Sequence, residues 1–154
     1  MTLSDLIKTL ELVASHQPSI KMVVENDIFR LNSKADARYG VFAFVQQQHT
    51  TSTESNFITY AFTLFYVDRL KNDRSNQIEI QSVGIQTLDN IIRALDDLGI
   101  YSDQSYSFQV FNQRFVDECA GVFCNVALSV PVGSICPEDF ADFNSDFNDD
   151  FLIY

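Results

Sequence analysis

The residues of this chain best suited to covalent or metal chemistry are its three cysteines, Cys119, Cys124 and Cys136, and its two histidines, His16 and His49. A thiol attacks or ligates as the thiolate, which needs a nearby cation, base or metal to stay ionised. The cysteines form no CxxC pair and are odd in number. They therefore read as small apolar core residues of a reduced, intracellular protein. Asp117-Glu118-Cys119 is the densest polar cluster beside a thiol, but neighbours along a strand point to opposite faces and share no site. His16 reads as a helix-end residue and His49 as a loop residue, not as a pair. No GxGxxG, Walker A, HExxH or GxSxG pattern occurs. The reading is of a protein that is not an enzyme, with no catalytic residues, no metal ligands and no cofactor. Asp68 and Arg69, followed by Asp73 and Arg74, predict an ion-pair network that is solvated or lies in an interface.

The elements that would position these residues follow from hydrophobic period. Leu3, Leu6, Ile7, Leu10 and Val13 recur at helical spacing, with Thr2 and Asp5 as a capping box and Pro18 forcing an end near His16. Ile20, Met22 and Val24 alternate, Glu25-Asn26-Asp27 offers a turn, and Ile28 to Leu31 resumes an extended pattern, which predicts a hairpin. Gly40 opens a strand over residues 41–48, and the polar residues 46–55 predict a hairpin tip. Residues 57–70 then form a long strand with apolar side chains on both faces. Such a strand is central in its sheet, or one face meets another chain.

The clearest helix lies between Asn76, which can cap, and Gly99, which can take the left-handed position after the last turn. Its expected apolar face is Ile85, Leu88, Ile91, Ile92, Leu95 and Leu98. Gly84 inside it signals either close packing or a start nearer residue 83, with Ile78 and Ile80 extended. Tyr106, Phe108 and Val110 alternate as a strand, and Val122 to Val130 as another that Pro131 stops. Ala120-Gly121 reads as a bulge or turn between them. The expected fold is α+β, a largely antiparallel sheet with two helices on one face.

The chain has 154 residues with 46% hydrophobic and 20% charged, enough for one core and too apolar for a disordered chain. No apolar run approaches the length of a membrane span, and the first residues show no basic stretch followed by an apolar one, so neither membrane insertion nor export is expected. Ten basic residues face 21 acidic ones, a net charge of −11, which argues against nonspecific grip on nucleic acid. It is compatible with surrounding DNA without holding it.

Residues 138–154 carry six acids and no Lys or Arg. The division is therefore a body over 1–137 and an acidic, aromatic arm over 138–154. In the arm Phe140, Phe143, Phe147, Phe151 and Tyr154 are spaced 3, 4, 4 and 3, one stripe if the segment is helical. Ordering a backbone costs about 1 to 2 kcal/mol per residue, and an isolated helix gives its rings nothing to bury against. The arm must dock, on its own body, on a neighbouring subunit or on another protein, or else stay disordered. An extended arm with each ring in its own pocket competes with the helix.

Two stretches carry a family resemblance. Tyr66-Val67-Asp68-Arg69-Leu70 running through Asp73-Arg74-Ser75-Asn76 into Ile80-Gln81-Ser82-Val83-Gly84-Ile85, and Phe111-Asn112-Gln113-Arg114-Phe115-Val116-Asp117-Glu118-Cys119-Ala120-Gly121, resemble virion structural proteins of tailed phages of gut Bacteroidales, the crAss-like group. That likeness covers residues 60–131. The order of elements over residues 3–131 is similar to tail-terminator and tail-completion proteins. The resemblance implies a ring subunit of the head-to-tail connector, in the neck or tail of the virion, present in host cytoplasm during assembly. Its partners would be copies of itself, in a homo-oligomeric ring of roughly six or twelve, and adjacent portal, neck or tail rings. DNA would pass the lumen without specific binding, and no membrane is involved. Asp68, Arg69, Phe140, Phe143, Phe147, Phe151 and Tyr154 are then the expected protein-interface residues. The alternative is a phage assembly factor or chaperone that binds a partner through the acidic arm.

Overall fold

The computed structural model describes residues 1–25, 39–51, 56–102, 106–114 and 118–131. The element order is α1 (Leu3–Ser15), β1 (Met22–Glu25), β2 (Val41–Gln46), β3 (Thr50–Thr51), β4 (Phe57–Arg69), α2 (Gln77–Asp97), β5 (Tyr101–Ser102), β6 (Phe108–Arg114) and β7 (Glu118–Pro131). The strands form one seven-stranded sheet in the order β1-β2-β4-β7-β5, with β3 on β4 and β6 on β7. Only β1 and β2 pair in parallel; every other pairing is antiparallel. The fold is thus α+β, with two helices and a mixed, mostly antiparallel sheet among the described residues.

The backbone of this sheet is the pairing of β4 with β7, unbroken from Phe57 opposite Pro131 to Arg69 opposite Cys119. Proline has no N–H for a further ladder bond, which suits it to the last position. Alternation along these strands separates two faces. Tyr60, Phe62, Leu64 and Tyr66 of β4, with Phe42 and Phe44 of β2 and the even-numbered residues of β7, point to the face that both helices cover. Leu6, Leu10 and Val13 of α1 and Leu88, Ile91, Ile92 and Leu95 of α2 are buried in that core.

Local signals explain where the helices begin and end. The Thr2 backbone N–H donates to the Asp5 carboxylate at 3.0 Å, and the Asp5 N–H donates to the Thr2 hydroxyl at 3.2 Å, completing the expected capping box. Those bonds from Thr2 hold the Asp5 carboxyl below its ordinary value. Gly99 has φ +81°, the left-handed conformation that glycine adopts without a Cβ penalty. Its N–H donates to the Asp96 carbonyl at 3.0 Å.

Several expectations require correction. Asn76 does not cap α2 with its side chain; its Oδ1 accepts from the Lys71 N–H at 2.9 Å and its Nδ2 donates to the Arg69 carbonyl at 3.1 Å, closing the turn that precedes the helix. The helix runs through Gly84 without a break, so Ile78 and Ile80 are helical. Ile85 is exposed rather than core-facing, because the buried stripe is centred on Ile80, Gly84, Leu88, Ile91 and Leu95. Ala120 and Gly121 lie within β7, paired to Asn112 and Phe111 of β6 as well as to β4; no bulge is needed. A Cβ on Gly121 would collide with the Tyr66 carbonyl and stand 2.8 Å from the Phe111 ring, so the glycine marks close packing. β2 ends at Gln46, and the following polar segment contributes β3 to the sheet. The described partner of β1 is β2, in parallel; the second strand of the expected hairpin lies outside the described residues.

Candidate functional site

The described residues with chemical potential do not converge. Cys119 and Cys124 are both buried in β7, but their five-residue separation places them on opposite faces of the sheet. Cys124 sits in the helix-covered core. Burial, and then the Asp89 carboxylate, push its thiol up from 9.0 to about 12, the reverse of what a nucleophile requires. Cys119 belongs to a second apolar cluster with Val24, Val41, Ala43 and Val67. Asp117 and Cys136 lie outside the described residues.

The histidines are structural in position. His16 is the C-cap residue of α1, its Nδ1 2.8 Å from the Leu12 carbonyl. His49 follows β2, and its Nδ1 accepts the Ala61 backbone N–H at 3.2 Å. An accepting Nδ1 leaves Nε2 as the protonated nitrogen, which reaches Gln46 Oε1 at 3.3 Å. The ring packs on Tyr60 and Phe62 at 5.2 and 5.8 Å. His49 therefore supplies a side-chain rung where the β2–β4 ladder ends. Among the described residues no group of three or more His, Cys, Asp or Glu is placed to hold a metal ion.

The described residues show part of the expected charge network. Asp68 accepts from the Arg69 N–H at 2.7 Å and from the Tyr66 hydroxyl at 3.3 Å. Burial, then the Asp68 charge, hold the Tyr66 phenol well above its ordinary value. Arg74 pairs at 3.6 Å with Glu118, across the turn from β4 to α2. Asp73 instead accepts the Ser75 N–H at 3.1 Å. Both members of the Arg74 pair are substantially exposed, so the contact contributes little to stability. The other five expected interface residues, Phe140, Phe143, Phe147, Phe151 and Tyr154, lie outside the described residues.

What the structure does assemble is a surface on the second face of the sheet. Phe65 of β4, Phe123 of β7 and Phe111 of β6 form a ring cluster with centroid separations of 5.7, 6.1 and 6.3 Å. Toward the other end of the same two central strands Phe57 and Tyr101 meet edge to face at 6.4 Å and are 39% and 49% exposed. Between the two groups lies a floor of short side chains. Ala61 faces Ala127, Thr59 and Ser129 hydroxyls touch at 3.0 Å, and Thr63 donates to Asn125 at 2.6 Å. The side chains of this stretch are half-buried or exposed apart from Thr63, whereas Val24, Val41, Ala43 and Val67 beside it are buried. A sheet face with rings toward both ends and short side chains between them can bury apolar area and stack aromatics; among the described residues named here the Tyr101 phenol is the one titratable group.

The alternation in β4 already announced Phe57 and Phe65 on the second face. Phe111, Phe123 and Tyr101 come from separate strands, and only the register places them beside those two. No helix among the described residues is long and apolar enough to cross a membrane. No family model and no curated protein matches the chain.

Proposed function

We propose that this chain is a virion structural protein of a tailed phage, a ring subunit of the head-to-tail connector that surrounds the DNA channel. The observation that carries the reading is the sheet with two unlike faces: one sealed by α1 and α2, the other bearing Phe57, Tyr101, Phe65, Phe111 and Phe123 around a floor of small residues. A ring closes through heterologous contacts, in which one surface of each copy meets a different surface of the next. An aromatic sheet face and an aromatic arm on the same chain are two such surfaces. The order helix, strands, helix, strands is the order on which the resemblance to tail-terminator proteins rests, and a position in the neck or tail is part of the proposal. Work of this kind needs no cofactor and no turnover. A net charge of −11 keeps phosphates from adhering to a lumen wall, so the genome slides.

The six acids of residues 138–154 also suit an assembly factor that shields a partner and departs. Mass spectrometry of purified virions separates the two roles, with stoichiometric retention expected for the ring subunit. In electron density of the intact particle the chain should form a closed ring at the neck or tail. A mass that stays monomeric at every concentration, together with absence from the virion, would overturn the reading.

A further inference from the structure

We propose that the cleft between the C-terminal ends of α1 and α2 binds the ammonium group of a small primary amine. Its walls include His16, Gln17 and Pro18, which follow α1, and Arg93, Ala94 and Asp97 of α2, around a volume of about 470 Å³. That is a size at which clefts hold small organic molecules. The inference is independent of the ring reading.

A buried amide is the first observation. Gln17 is 8% exposed, and its side chain has no hydrogen-bond partner among the described residues. Burying an amide without a compensating bond is unfavourable. No unpaired side-chain nitrogen or oxygen among the described residues is fully sealed from solvent, so the Gln17 amide opens outward, into the cleft that this residue lines. There it offers an acceptor, Oε1, beside its NH2 donors.

Charge decides which group the cleft takes. α1 ends at Ser15 and α2 at Asp97, and the C-terminal end of a helix carries partial negative charge that favours a cation. Neither helix has a basic residue in its last turn. Asp97 adds a full negative charge, and its carboxylate has no ion-pair or hydrogen-bond partner among the described residues. Arg93 on the same wall is held by Asp89 at 2.7 Å, which offsets its charge. Two helix ends, the Asp97 carboxylate and the Gln17 carbonyl oxygen make an acceptor set for the three N–H donors of a primary ammonium. Pro18 and Ala94 supply apolar wall for its alkyl chain. An anion would meet Asp97 and both helix ends with the wrong sign.

The test uses the full-length chain labelled with heavy nitrogen and titrated with n-butylamine at about pH 7, where the amine is charged. Saturable shifts are expected at the Gln17 side-chain NH2 and at the Asp97 backbone amide, and sodium butyrate should produce none. Asp97→Asn alters an exposed side chain and should raise the Kd about tenfold. Asp96→Asn removes the same charge from a neighbour that does not line the cleft and should leave the Kd unchanged. Gln17→Met, close in volume, should weaken binding about threefold or more. The absence of any saturable shift would mean that water alone satisfies Gln17 and would overturn the proposal. Equal losses in Asp96→Asn and Asp97→Asn would reduce the effect to general attraction toward an acidic chain, and butyrate binding as tightly as the amine would remove the charge argument; either result overturns it. None of these outcomes bears on the ring, which the virion measurements test.

Discussion

The Cys124 thiol and the Tyr106 phenol are both kept protonated by the same corner of the molecule. Tyr106 donates to Asp89 at 2.6 Å, and Asp89 also receives the Arg93 guanidinium at 2.7 Å. Burial first, and then the bond to Asp89, push Tyr106 from 10.0 to about 12, while burial and Asp89 raise Cys124 from 9.0 to about 12. In the unfolded chain both groups lose their protons earlier. Their contribution is therefore complete below about pH 9 and declines as pH rises toward 12. Urea midpoints measured at about pH 8 and about pH 10.5 should show a clear loss of stability at the higher value. Cys124→Ala should flatten part of that slope, and a slope identical to that of the parent would remove the thiol from the account.

At the level of elements, the decisive contact is α2 on the centre of the sheet. Gly84 has no Cβ, and one placed there would stand 2.9 Å from the Tyr66 ring and 3.0 Å from Val122. Gly121, on the neighbouring strand, comes against the main-chain carbonyl of the same tyrosine, so Tyr66 meets one glycine through its ring and another through its backbone. Alanine at position 84 would gain about 1 kcal/mol of helix propensity. Overpacking against a buried aromatic costs about 1 to 3 kcal/mol, and here the ring is held by its neighbours and by Asp68. Gly84→Ala should accordingly destabilise the protein in chemical unfolding; a more stable variant would show that Tyr66 can move aside. The glycine itself was visible in the sequence, but its two readings, a break or a close approach, could be separated only by what lies across from it. The same holds for Ala120-Gly121, where composition suggests an interruption and pairing to β4 and β6 keeps the strand continuous.

For the molecule as a whole, Leu6, Leu10, Phe42, Phe62, Leu64, Leu88 and Leu95 are fully buried in the core between the sheet and the two helices, and these belong to the body over residues 1–137. Removing residues 138–154 should leave the circular dichroism and the cooperative unfolding of the body nearly unchanged while abolishing higher assembly in analytical ultracentrifugation. A melted body would mean that the five rings finish the core of their own chain. Truncation also removes six negative charges, so the comparison belongs at moderate salt, where long-range repulsion is screened.

Periodicity by itself determined much here. The capping box of α1, the extent of β4, the existence of α2 and the stop at Pro131 are local matters, set by side-chain spacing and by the backbone limits of proline and glycine. The α+β class follows from their order. Tertiary structure alone decided the parallel pairing of β1, the inclusion of β3 and β5, the shift of the buried stripe of α2 from Ile85 to Gly84, and the meeting of Phe65, Phe111 and Phe123. Each of these depends on register and on close packing between residues far apart in the chain, and a period of two or of 3.6 carries no information about which strand lies alongside.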